Sequence, residues 1–156
     1  MSYLDPLKSL DTIYTFTDKP ILLGGGAMEY YGLRKTGHDL DIMISQRDKR
    51  ELIKRGYTQN LFGGKTDKEV DSTFSNFADT GVDLVVTLNQ YGYSFFKESS
   101  IVCGSHKSIQ VMSLEHLLLA KVFAGEYSEE PKHKNDIKLL LKGIEKQQYP
   151  ANILYV

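Results

Sequence analysis

The chain has 156 residues, 41% of them hydrophobic and 25% charged, an ordinary globular composition that excludes a disordered or fibrous chain and suits one domain around one core. A single cysteine, Cys103, excludes an internal disulfide framework, and with no run near the roughly 20 apolar residues of a membrane span and no basic-then-apolar leader around Asp5, a cytoplasmic protein is expected. Nineteen basic residues against twenty acidic ones give a net charge of −1, which excludes a whole-protein electrostatic grip on DNA or RNA but leaves room for a small anionic ligand.

Leu4, Leu7, Leu10 and Ile13 recur at helical spacing, so residues 3–16 read as an amphipathic helix with Pro6 in its first turn. Asp18-Lys19-Pro20 breaks it. Ile21 to Leu23 is a short apolar run suited to a buried strand, Gly24-Gly25-Gly26 turns the chain, and Ala27 to Leu33 follows as a helix. Asp39 to Ser45 alternates carboxylates with apolar residues and reads as a strand with Leu40, Ile42 and Ile44 buried. Arg47 to Arg55 is a helix with five basic and two acidic residues, more in keeping with a solvated face than with an RNA contact. Tyr57 to Phe62 and Thr73 to Phe77 are read as strands around Gly63-Gly64, and Val82 to Leu88 as a further strand. The aromatic stretch from Tyr91 to Phe96 carries no assignment. Ile109 to Met112 is a strand, and Ser113 caps a helix whose buried side is Leu117, Leu118, Val122 and Phe123. A last helix spans Pro131 to Lys142. The expected organisation is one domain of α+β or α/β class: an N-terminal helix within 1–18, a sheet core over 20–112 and two helices over 113–142.

Two features carry chemistry. A strand that runs through glycines straight into a helix can seat a phosphate, because glycine admits close backbone approach and the helix start offers unpaired N–H groups. Neither a Walker loop nor the dinucleotide fingerprint fits, since Ala27-Met28-Glu29 follows the glycines. A tight turn with no ligand accounts for the glycines equally well. Close by, Asp39 and Asp41 are two residues apart on one strand and project from the same face, a repulsion that a divalent cation would turn into attraction. Asp83 adds a carboxylate inside the apolar run Val82–Leu88, where burial is costly unless the group is paired or metal-bound; a solvent-facing strand end is the plainer alternative.

Strand, Gly-Gly, helix, Asp-x-Asp and a later lone strand Asp together resemble the nucleotidyltransferase superfamily, the fold group of DNA polymerase β and the small minimal nucleotidyltransferases. Leu22 to Ser45 carries most of the resemblance, and it is similar to the bacterial branch often found in abortive-infection and toxin–antitoxin operons. There Gly24, Gly25, Ala27, Met28, Arg34, Thr36, Asp39 and Asp41 match the pattern, although two residues rather than one separate Thr36 from Asp39. Ser113 to Lys121 and Lys132 to Ile137 are similar to the C-terminal helices of that branch. The resemblance implies a central mixed or antiparallel sheet flanked by helices, with two C-terminal helices. It also implies Mg²⁺- or Mn²⁺-dependent transfer of a nucleoside monophosphate from a nucleoside triphosphate to an acceptor hydroxyl on a protein, a tRNA or a small molecule. Asp39, Asp41 and Asp83 would be the catalytic and metal-holding residues. Gly24, Gly25, Gly26, Arg34, Thr36, Lys121 and Lys132 would bind nucleotide. A solvated helix face is the alternative for Lys121 and Lys132, and the favoured one for Lys134. A catalytically degenerate module working with an operon partner, a homodimer that completes the site, and a nucleotide-binding regulator stay open. His38, His106, His116, His133 and Cys103 show no persuasive ligand or catalytic spacing, and Tyr30 and Tyr31 fit packing better than base stacking.

Overall fold

The computed structural model describes residues 2–37, 39–59, 70–87, 89–127 and 131–153; for 70–73, 123–127, 131–133 and 148–153 it describes the backbone alone. Helix α1 (Asp5–Ile13) starts with Pro6 in its first turn and buries Leu7 and Leu10, two residues shorter at its start and three at its end than the apolar spacing predicts. Strand β1 (Ile21–Leu23) then leads without a break into α2 (Gly24–Tyr30), so the three glycines form the first turn of the helix instead of a loop before it. Strand β2 (Leu40–Ile44) buries Leu40, Ile42 and Ile44 as the alternation predicts, and Met43 is buried as well.

Helix α3 (Gln46–Lys54) is capped by Ser45, whose side chain accepts the Asp48 N–H at 3.2 Å. Asp48 itself is fully buried. Its carboxylate accepts hydrogen bonds from the Tyr14 hydroxyl at 2.7 Å and from the Thr17 and Asp18 N–H groups at 2.9 and 3.0 Å, tying the α1–β1 connection to α3. Strand β3 is Val70–Phe74, and Phe77 belongs to a short 3-10 turn (Phe77–Asp79) and not to a strand. Tyr57 to Gln59 are not strand, while Asn60 to Phe62 and Gly63-Gly64 lie outside the described residues. Strand β4 (Val82–Thr87) follows, then α4 (Gln90–Glu98), a helix where the sequence suggested no element. Two-residue strands β5 (Ile101–Val102) and β6 (Gln110–Val111) precede α5 (Leu114–Tyr127) and α6 (Pro131–Ile153). Ser113 does cap α5, accepting the His116 N–H at 3.2 Å. Val122, expected on the buried side of α5, is exposed, and the Phe123 side chain lies outside the described ones.

Among the described residues the strands form one mixed six-stranded sheet in the order β3-β4-β2-β1-β6-β5. β1 is antiparallel to β2 and parallel to β6, while β2 is parallel to β4. The architecture is α+β with a mixed sheet. Its core joins Leu7 and Leu10 of α1, Met28 of α2, Leu52 of α3, Leu117 of α5 and Leu140 of α6 to the apolar faces of the central strands. No described helix is long and apolar enough to cross a membrane.

Candidate active site

Strand register brings the two acidic segments together at the mouth of the glycine turn. Leu23, the last residue of β1, pairs with Asp41, and Asp41 in turn pairs with Asp83 across the parallel β2–β4 ladder. Neighbouring strands lie about 4.8 Å apart, so the two aspartates stand side by side on one face of the sheet. Each is partly buried between fully buried neighbours, Leu40 and Ile42 in one strand and Val82 and Leu84 in the other.

Gly24 has a left-handed φ of +60°, and a Cβ placed on it would lie 2.9 Å from Oδ2 of Asp41. The Asp41 carboxylate therefore covers the start of α2, where only glycine meets both the backbone angle and the space. Asp39 is exposed, two residues earlier on the approach to β2, and does not share the close packing of Asp41. Asp83 is held from the side: its Oδ1 accepts the Asn76 N–H at 2.6 Å. Asn76, Ala78 and Asp79 all have positive φ (43°, 48° and 57°), so the β3–β4 turn is a strained one wrapped onto this carboxylate.

Gly25 faces the other side of the turn. A Cβ there would lie 3.0 Å from Oγ1 of Thr36 and 3.2 Å from Nη1 of Arg34. Thus both residues reach the glycines despite the extra residue before Asp39. The Thr36 hydroxyl is buried and has no hydrogen-bond partner among the described residues, an open valence beside a backbone cradle. Gly26 plays a different part: a Cβ on it would meet Leu40 and Leu22 at 2.9 and 3.0 Å, so its missing side chain lets α2 settle on the sheet.

Behind this edge lies an ionic cluster. Arg34 donates Nε and Nη2 to the two carboxylate oxygens of Asp136 at 2.7 and 2.9 Å, and Lys121 Nζ stands 2.9 Å from the same Oδ2. Asp136 is buried. Burial pushes its pKa up, but the hydrogen bonds from Arg34 and Lys121 outweigh that and hold it below the ordinary value. The Asp136 hydrogen bonds likewise raise the Arg34 pKa against the opposing pull of burial. Lys121 is therefore part of a buried network and not of a solvated face. Lys134 is exposed, and the side chain of Lys132 lies outside the described ones.

The sequence singled out neither Asp136 nor Glu29. Asp136 is the one acidic residue between Pro131 and Lys142, which is a signal of a partner elsewhere. Glu29 follows Gly25 by four residues on α2, and its Oε1 accepts the Thr36 N–H at 2.7 Å. Tyr31 donates its hydroxyl to the Met112 carbonyl at 2.8 Å, and the Tyr30 hydroxyl accepts the Gly104 N–H at 3.2 Å, both structural ties. His106 pairs with Asp11 at 2.8 Å, His116 Nδ1 lies 3.0 Å from Ser99 Oγ, and Cys103 is fully buried. His38 and the His133 side chain lie outside the described residues. In α3, Arg55 pairs with Glu51 and Arg47 approaches Asp18 at 3.9 Å, which spends part of the basic cluster on local partners.

Compared with known proteins, the chain matches no family model, no curated protein and no solved structure. Among the described residues, no group of three or more His, Cys, Asp and Glu side chains is placed to hold a metal ion. What the geometry supplies is a pair of in-register aspartates, hard oxygen donors of the kind Mg²⁺ takes, beside a glycine cradle with an unsatisfied hydroxyl. Those groups fit a divalent cation with a phosphate ligand.

Proposed function

We propose that the protein is a Mg²⁺-dependent nucleotidyltransferase that moves a nucleoside monophosphate from a nucleoside triphosphate to an acceptor hydroxyl, releasing pyrophosphate. The observation that carries this is the placement of Asp41 over Gly24 with Asp83 beside it in register. Asp41 and Asp83, with Asp39 on the approach, would hold the cation. When bound it would lower the acceptor's pKa and offset charge on the leaving phosphate. An Asp83 carboxylate off the cation would instead take the acceptor proton, oriented by the Asn76 N–H. Backbone groups at Gly24 and Gly25, with the Thr36 hydroxyl, receive phosphate oxygens. Arg34 and Lys121 supply positive charge from behind, oriented by Asp136. The near-neutral charge of the whole chain favours a protein or small-molecule acceptor over a long polynucleotide.

Incubating the protein with labelled nucleoside triphosphates, Mg²⁺ or Mn²⁺ and a cell lysate tests the proposal. Label should pass to protein, RNA or a small molecule, and Asp41→Asn should abolish it. A wild type that labels nothing, or an Asp41→Asn variant that labels equally, would sink the idea.

One observation favours a second reading, a degenerate member serving as a complex-forming module: an oxygen of Asp83 is already engaged by the Asn76 N–H. Such a protein would carry a stable operon partner and show no turnover with any of the four nucleotides.

A further inference from the structure

We propose that Glu29 is a positioning residue that holds the Thr36 hydroxyl against the Gly24–Gly25 turn, where it receives a phosphate oxygen of the nucleotide. This rests on the nucleotidyltransferase reading and adds to it a residue that neither the glycine turn nor the aspartates call for.

The Lys35–Thr36 peptide group is held at both of its polar ends. Its carbonyl accepts Arg34 Nη1 at 2.9 Å, and its N–H donates to Glu29 Oε1 at 2.7 Å. With both ends fixed, the peptide plane is fixed, and so is the direction in which Thr36 leaves the backbone. The Thr36 side chain then points at Gly25, with Oγ1 3.0 Å from where a Cβ would begin. Gly25 and Glu29 lie four residues apart on α2 and share one helix face, so a single rigid element presents both the cradle and the pin.

The hydroxyl that this arrangement directs is buried and has no partner among the described residues. Buried polar atoms without a partner are rare because they forgo hydrogen bonds to water, so a built support around one points to a ligand that completes it. Gly37, next in the chain, is exposed with nothing within 4 Å of a would-be Cβ. A carboxylate near phosphate would be repulsive if it faced the ligand; bonded to a backbone N–H, it is committed to the loop instead.

The test is a coupling measurement with ATP, GTP, CTP and UTP, each with Mg²⁺, by titration calorimetry on wild type, Glu29→Ala, Glu29→Gln, Thr36→Val and the Glu29→Ala/Thr36→Val pair. For the nucleotide that binds, Thr36→Val and Glu29→Ala should each raise Kd about tenfold, the loss expected of one hydrogen bond to a charged group. The double variant should be no worse than about twofold beyond either single one, because both remove the same contact. Glu29→Gln keeps an acceptor oxygen and should stay within about twofold of wild type. If Glu29→Ala does not fold, Glu29→Asp, which draws the carboxylate back by one methylene, should shift Kd in the same direction by less. Glu29→Ala with unchanged Kd, Thr36→Val with unchanged Kd, or losses that multiply to about a hundredfold in the pair each overturn the inference alone. A wild type that binds none of the four nucleotides overturns the nucleotidyltransferase reading and the inference with it.

Discussion

The Asp41 carboxylate and Gly24 occupy space that cannot be shared with a side chain: a Cβ at Gly24 would lie 2.9 Å from Asp41 Oδ2, on a backbone already at φ +60°. Leu23↔Asp41 pairing fixes this relationship, since the register of β1 on β2 decides which residue of β2 faces the first residue of α2. A shift of one residue would turn the carboxylate to the opposite face of the sheet.

Gly24→Ala should therefore do more than strain the backbone. The left-handed angle alone costs a non-glycine residue about 1–2 kcal/mol, and the added methyl must push Asp41 aside. Gly32→Ala is the matched control, with φ +74° and nothing within 4 Å of its would-be Cβ. Urea unfolding should show both variants destabilised by about 1–2 kcal/mol. Nucleotidyl transfer should fall about a hundredfold in Gly24→Ala alone, as expected when a reacting group is displaced by about 1 Å. Equal activity in the two variants would mean that Asp41 is not part of the chemistry.

Asp136 gives a prediction about stability and its pH dependence. Asp136→Asn leaves Arg34 and Lys121 facing a neutral amide. The loss should approach the ~3–5 kcal/mol seen when one partner of a buried pair is removed, tempered because Arg34 reaches solvent. The folded-state pKa of Asp136 is depressed, so its contribution is complete above the ordinary carboxylate pKa and is lost as pH falls through the lower folded value. The gap between wild type and Asp136→Asn in urea unfolding should hold steady at neutral pH and close below about pH 4. A gap that persists undiminished in strong acid would place the effect in packing and not in charge.

The parts of this site legible in the sequence are those set by strand parity and local turns. Asp39, Asp41 and the buried Leu40, Ile42 and Ile44 follow from period-two alternation, and the glycine turn from three consecutive glycines after an apolar run. Asp83 was legible as a lone carboxylate in an apolar strand, but its register against Asp41 is a long-range fact that no spacing encodes. The Arg34–Asp136 pair spans 102 positions and depends on how α6 lies against the loop after α2. Helix α4 was hidden for a local reason. Gly92 reads as a breaker, yet it is there because a Cβ would sit 2.7 Å from Thr87, and the capping Asn89, which accepts the Tyr91 N–H at 3.0 Å, was the available signal. β5 and β6 have two residues each, too few to show a period.

Tyr31 provides an alkaline counterpart to Asp136. Burial, with the nearby Glu115 charge, raises its pKa to about 12 from the ordinary 10.0. The neutral phenol donates to the Met112 carbonyl, so the folded state holds this proton where the unfolded state gives it up. The stability it contributes is present in full below about pH 10 and is lost as pH rises toward 12. Tyr31→Phe should be less stable than wild type by about 1 kcal/mol at pH 8 and should lose less stability than wild type between pH 10 and 11. Parallel pH slopes for the two proteins in urea unfolding would remove Tyr31 from the alkaline transition.

The pairing of Asp41 with Asp83 sets up opposite responses with and without a divalent cation. In EDTA, two adjacent carboxylates repel each other. Asp83→Asn should then be neutral or slightly stabilising, because the amide oxygen can still accept the Asn76 N–H while the charge is gone. With Mg²⁺ present the order should reverse. A cation bound only by the folded protein stabilises it by about 2.7 kcal/mol at a hundredfold excess over Kd. For a chain of this length that is roughly 5–10 °C in Tm. Wild type should gain this shift on titration with Mg²⁺ or Mn²⁺, whereas Asp41→Asn and Asp83→Asn should gain little. Asp39→Asn should fall between them, because Asp39 stands exposed on the approach to β2 and has the weaker hold on the cation. An Asp83→Asn variant that gains as much as wild type would place the cation elsewhere, and would leave Asp83 as the anchor of the strained turn at Asn76 and nothing more.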